Sequence, residues 1–296
     1  MTATPVILAQ QLINGLALGS IYALVAIGLS LIWATAKLLD FAFGEAFMLG
    51  GILTWTFAVG AGLPLVVSMA LALVLCAGLG WLVERGLYFR LFDADHVIVL
   101  IATIGMSMIL KDGATKIWGS ETRVFPVLFA GTWHAGDLVI RTHFVFIIGA
   151  AVVLIGVFHV LIGYTRIGLA LRAVAENRRV AAMMGVRVVR MLAIAFGISY
   201  LLGAAAGALI GPIHYIATTG GTTMMIKGVA AAVLGGFGSL PGALVGGLAI
   251  GLLEALAAGF VSSAFKDVIV FAVFIGVLFL RPAGLLGART QGVSEL

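Results

Sequence analysis

Charge in this chain is confined to short stretches, and the apolar runs between them reach the length that crosses a bilayer. That one feature removes most folds open to a water-soluble chain. Only 10% of the 296 residues are charged, whereas a soluble surface needs roughly 25–35%. The apolar side chains must therefore face lipid, and a spanning helix takes about 20 of them. Residues 6–33, 64–83, 144–163 and 191–210 are runs of this length, and 47–59 is a shorter apolar run. In hydrocarbon every backbone N–H and C=O must be satisfied within the protein, which leaves helices as the natural spanning element. The expected fold is all-α: a polytopic transmembrane bundle of about eight spans, some of them broken or half helices. Forty glycines fit that picture, since glycine lets helices approach closely within a membrane.

The remaining charge orients the bundle. The stretch 164–190 carries Arg166, Arg172, Arg178, Arg179, Arg187 and Arg190 against the single acid Glu176, and such density marks a cytoplasmic loop. Counting spans from it puts 84–96 inside, 111–143 outside as a small cap with a hairpin near 125–140, and the N-terminus outside. Residues 97–110 are too short to span alone, so they form a half helix or join their flanks. The whole of 1–296 is expected to be one transmembrane domain. The first charged side chain is Lys37, so the first run reads as a retained helix and not as a cleaved leader. The net charge of +5 belongs to the inner loops. No basic stripe with interleaved aromatics points to nucleic acid.

Two interruptions resemble each other. One reads Phe43-Gly44-Glu45 before an apolar run with Gly50-Gly51. The other reads Phe237-Gly238-Ser239-Leu240-Pro241-Gly242 before a run with Gly246-Gly247. Matched breaks in two halves of a transporter point to its solute path. A helix start inside lipid presents unpaired N–H groups that favour a carboxylate. Packing is the alternative for such glycines, and it is the expected role of Gly15/Gly19 and Gly247/Gly251. Glu45 either lines a path or stabilises a helix start. Glu254 and the pair Lys266-Asp267 are expected near an interface. Enzyme chemistry finds no footing. There is no G-x-x-x-x-G-K-[ST] nucleotide loop, and the histidines at 96, 134, 143, 159 and 214 lack metal-ligand spacing. Cys76 lies alone in an apolar run.

Residues 169–184 can be drawn as one amphipathic helix. Leu169, Ala173, Val180 and Met184 lie on one side, with Arg172, Glu176 and Arg179 on another. Such a helix lies on lipid or docks into a partner. Here the chain resembles a family. Arg172-Ala173-Val174-Ala175-Glu176-Asn177 followed by Ala181-Ala182-Met183-Met184-Gly185-Val186 resembles the coupling loop of bacterial ABC importer permeases. Asn14-Gly15 with 18–28, Ile104-Gly105-Met106-Ser107, 231–243 and Arg281-Pro282-Ala283-Gly284-Leu285-Leu286-Gly287 resemble the branched-chain amino-acid permeases of that group, in order and along nearly the whole chain. The likeness is nearest to the first of the family's two permease types.

The resemblance implies a bacterial inner-membrane subunit paired with a second, related permease, two ATPase subunits and an extracytoplasmic solute-binding protein. It implies no cofactor on this chain, with ATP used by the partners. Its cargo would be a branched-chain or other hydrophobic amino acid, or, as in close relatives, urea, a short amide or a small carboxylate. Arg172, Glu176, Ala181, Ala182 and Gly185 would form the ATPase-coupling element. Asp40, Phe43, Gly44, Glu45, Gly238 and Ser239 would border the solute path. One departure stands out: the family's Asn-Phe-Ala-His-Gly-Glu reads Asp40-Phe41-Ala42-Phe43-Gly44-Glu45 here. The rival class is a self-sufficient secondary transporter or channel, which needs neither ATP nor partners.

Overall fold

A computed structural model describes residues 3–91, 94–123, 125, 131–135, 138–211 and 217–287. The described chain is a helical bundle built around its first helix. α1 (Ala3–Ala36) is 34 residues long, which at 1.5 Å per residue spans about 51 Å. It packs against α5 (Thr142–Tyr164), α8 (Val188–Ile210), α9 (Gly220–Gly235) and α10 (Leu240–Phe260). α2 (Phe43–Trp55), extended by a π-helical turn at Thr56–Gly60, lies against α8 and α9. α3 (Leu65–Val83) continues through a second π-helical turn at Glu84–Tyr88 and covers the far side of α8. α4 (His96–Trp118) and α11 (Lys266–Leu280) sit at the periphery. Among the described residues seven helices are long and apolar enough to cross a membrane; α9 and α11, of 16 and 15 residues, are shorter.

Glycine sets how closely these helices meet. At the α1–α10 crossing, a Cβ on Gly247 would overlap the backbone of Ala23, and one on Gly251 would overlap Gly19. Small residues four apart on both helices make this approach possible, as their spacing predicts. α2 and α8 interlock in the same way, Gly50 against Ala204 and Gly207 against the carbonyl of Phe47.

Two local readings hold and one changes. Residues 97–110 join their flanks, so α4 runs on through Lys111 to Trp118. Its C-terminal end is tied to the π-helical turn after α2 by a 2.8 Å hydrogen bond from the Trp118 indole to the Thr56 hydroxyl. The segment 111–143 contains an antiparallel hairpin of β1 (Thr132–Ala135) and β2 (Leu138–Arg141); its residues 124, 126–130 and 136–137 lie outside the described residues. The polar stretch before the second break turns helical at Gly220, so Lys227 sits inside the bundle; residues 212–216, including His214, lie outside the described residues. The single amphipathic helix over 169–184 is two: α6 (Arg166–Glu176) and α7 (Arg178–Met183).

Candidate functional site

The first break is closed by its own side chains. α1 ends at Lys37, which adopts a left-handed backbone (φ 52°) and donates its amide to the Trp33 carbonyl at 2.8 Å. The chain then turns back into the bundle. The Asp40 carboxylate accepts the Ala42 amide at 2.9 Å and the Tyr200 hydroxyl at 2.8 Å. Asp40 is therefore the anion at the start of α2. The open helix N-terminus expected to attract a solute carboxylate is filled from within, because a buried amide must find a partner. Phe43 is 0% exposed. Its ring fills the space beside Gly28 and Gly203, edge-on to Tyr200 with 5.8 Å between ring centres. Gly44 lets α2 meet Gly221 and Met225 of α9.

Glu45 points the other way. Its carboxylate accepts the Ser107 hydroxyl of α4 at 2.9 Å and lies against Gly221, where a Cβ would come within 2.6 Å of Oε2. Ser107 lines a half-open groove of about 630 Å³ between the α1–α2 connection, α4, α9 and α11. Leu39, Phe41, Met225 and Phe271 make its wall apolar, and Lys111 supplies its cationic end.

The second break is also closed, and it lies apart from the first. The Ser239 hydroxyl accepts the Gly242 amide at 3.2 Å and caps α10. Gly238, at φ 85°, packs beside Trp33, whose ring meets Phe237 edge-on at 4.8 Å. The last carbonyls of α9 are taken by the amides of Leu285 and Leu286, at 2.8 and 2.9 Å from Leu234 and Gly235. The motif 281–287 thus seals this hairpin. Trp33 lies about one and a half helical turns beyond Gly28, the contact of the first break.

The α6–α7 element lies at the C-terminal end of α1. Asn177 ends α6 and caps α7, its side-chain oxygen accepting the amides of Arg179 and Val180 at 3.0 and 3.1 Å. This is the N-cap preference of asparagine, and it splits the helix drawn from sequence. Gly185 ends α7. The Val186 amide reaches the Ala181 carbonyl and the Gly185 amide reaches the Ala182 carbonyl, both at 3.0 Å, with Gly185 at φ 83°. That pairing is the Schellman motif, which needs a left-handed residue and so selects glycine. Leu171, Val174 and Ala181 face the bundle. Leu169, Val180, Met183 and Met184 do not: they are 61, 53, 80 and 80% exposed. Arg172, Glu176, Arg179 and Ala182 are exposed around them, with Arg172 also reaching the Gly163 carbonyl at 3.2 Å.

Two features went unread in the sequence. Arg178 donates from Nε to the Thr35 carbonyl at 2.9 Å, joining α7 to the end of α1 just before the first break. Half-burial there draws its guanidinium pKa down from the ordinary arginine value. Lys227 meets Glu254 at 2.8 Å and Asp267 at 2.9 Å, inside the bundle. An arginine among five neighbours, and a lysine at the edge of an apolar run, carry no local mark of their partners.

The profile of the family described as branched-chain amino acid transport system, permease component, matches residues 11–278. The high-affinity branched-chain amino acid transport system permease protein LivH of Escherichia coli K12 is 34% identical, over 94% of this chain and 95% of its own length. The corresponding permease BraD of Pseudomonas aeruginosa is also 34% identical, with the same coverage. A probable LivH from Methanocaldococcus jannaschii is 28% identical over 94% of this chain and 92% of its own. With a bundle of membrane-spanning helices and a family profile matched from the first helix to the last, this chain belongs to the branched-chain amino acid transport permeases.

Proposed function

We propose that this chain is the permease subunit of an ATP-driven importer in the bacterial inner membrane, carrying a branched-chain or other hydrophobic amino acid. It works with a second, related permease, two ATPase subunits on the inner face and an extracytoplasmic solute-binding protein. ATP is bound and used by the ATPase subunits.

The observation that carries this reading is the outward-turned apolar face of α6 and α7. A short cytoplasmic helix with Met183 and Met184 four-fifths exposed presents adaptable apolar side chains of the kind that fill a partner's groove. Arginines and Glu176 surround them and fix orientation. Closure of the ATPase pair on ATP moves α7. Arg178 carries that movement to the Thr35 carbonyl at the end of α1. Five residues on, the chain is pinned by Asp40 to Tyr200, and α2 begins. A shift at the inner face is thereby delivered to Glu45 and the groove beside it. The groove, completed by the second permease, is half of the solute path, with Ser107 and Lys111 as polar points on its lining and Glu45 held behind Ser107.

The test is capture of the ATPase subunits by the tagged permease pair. The double variant Met183→Glu, Met184→Glu is expected to cut co-purification at least ten-fold while leaving the permease pair intact. Undiminished capture would remove α7 as the docking element.

A further inference from the structure

The groove beside Glu45 is not the only cavity on α9. Thr222, Met225, Ile226 and Val229 face the groove, whereas Gly220, Thr223, Met224 and Lys227 face a second cavity of about 270 Å³. The two sets follow helical spacing, so α9 is the wall between them. The second cavity, like the groove, is half-open. Leu18, Phe47, Met48, Ile210 and Met224 make it apolar, and Tyr22, Lys227, Glu254 and Lys266 make one end charged.

That charged end is a network drawn from four helices. Glu254 of α10 accepts Lys227 of α9 on both oxygens, at 2.8 and 2.9 Å. It also accepts the Tyr22 hydroxyl of α1 at 2.6 Å and Lys266 of α11 at 2.7 Å. Asp267 closes the network on Lys227 at 2.9 Å. Two ammonium groups and two carboxylates balance. A buried ion pair is poor value for stability alone, since apolar side chains of equal volume hold a core as well or better. Inside a membrane such residues mark a solute route by default. Of the cavity's lining residues, Ile210, Gly220 and Lys266 lie at the ends of their helices remote from the arginine-rich loop. It opens on the side from which a binding protein delivers. A third cavity of about 190 Å³, with Gln11 and Asn14, reaches Glu254 and Lys266 from the other side.

We propose that this cavity is an outward-facing subsite for a branched aliphatic amino acid, with the solute's zwitterionic head exchanged into the Lys266–Glu254 pair and its side chain on the apolar wall. The inference rests on the importer reading. Lys227 is 7% exposed and held by Glu254 and Asp267, so it stays. Lys266 is 31% exposed and rests on one oxygen of Glu254, so it can turn. Its ammonium moves to the solute's carboxylate, and the solute's ammonium takes the vacated place on Glu254. One ion pair becomes two and no charge is left alone. A solute lacking either group leaves an unpaired charge, which costs far more than it gains.

Site-directed thiol protection tests this in the assembled transporter. Cys76, the sole native cysteine of this chain, is buried, and Thr223 on the cavity wall is exposed. Thr223→Cys should react with a membrane-impermeant methanethiosulfonate from the outer side, read on this chain by mass spectrometry. L-leucine should slow that reaction at least ten-fold, while leucinamide and 4-methylpentanoate should not. Adding Lys266→Gln should abolish protection measured against that variant's own unliganded rate, and Lys266→Arg should restore it. Absence of labelling, or equal protection in Lys266→Gln, overturns the subsite. So does failure of leucine to protect a complex that still imports leucine on ATP, which leaves the importer reading standing. A wild-type complex with no ATP-driven leucine uptake overturns that reading, and the subsite with it.

Discussion

Asp40 and Phe43 set the first break apart from its family pattern, and both act on the fold. Removing the Asp40 carboxylate strands the Tyr200 hydroxyl and the Ala42 amide, each at about 1–3 kcal/mol. Asp40→Ala is accordingly expected to lower the melting temperature of the purified permease by several degrees. Phe43→His puts a polar ring against Gly28, Gly203 and Tyr200. It should lower stability by a comparable amount and leave the order of preference among competing amino acids unchanged; a changed order in competition uptake would put Phe43 on the path. The substitution at 43 was plain in the sequence, but its role was not. Gly28 and Gly203 surround the ring only after α1 and α8 have packed. Lys227 was hidden for a related reason: its partners Glu254 and Asp267 lie on later helices.

At the scale of elements, the amphipathic pattern over 169–184 correctly marked a surface helix but missed its division. Asn177 is a strong cap residue, and a cap inside a periodic run is a signal for two helices. The division matters because it gives α7 its own contact with α1 through Arg178. Arg178→Ala is expected to leave ATPase docking and hydrolysis in place and reduce uptake per ATP several-fold. Parallel measurement of phosphate release and uptake reads this, and an unchanged ratio would break the proposed link. Glu176→Lys reverses charge on the docking face and should weaken coupling as well; full coupling would leave Glu176 outside the interface. Gly185→Ala forces a side chain into left-handed backbone, costing about 1–2 kcal/mol, and should loosen the end of α7. Proteolysis between α7 and α8 would report it, and an unchanged rate would count against the Schellman motif.

For the whole molecule, lipid exposure and membrane crossing were legible because charge is so scarce. The described helices form the expected bundle, with α1 buried at its centre. What the sequence did not carry was which breaks open to a path, since helix starts look alike whether a solute or a neighbouring carboxylate meets them. Asp40 and Ser239 answer from within the chain, and the open spaces lie on the two faces of α9. The central claim, that this permease works only as part of an ATP-driven assembly, is tested most directly in proteoliposomes. With the second permease, both ATPases and the loaded binding protein, ATP inside the vesicle-equivalent cytoplasmic side should drive leucine uptake, and omission of the ATPases should abolish it. Concentrative leucine uptake by this chain alone would contradict the claim.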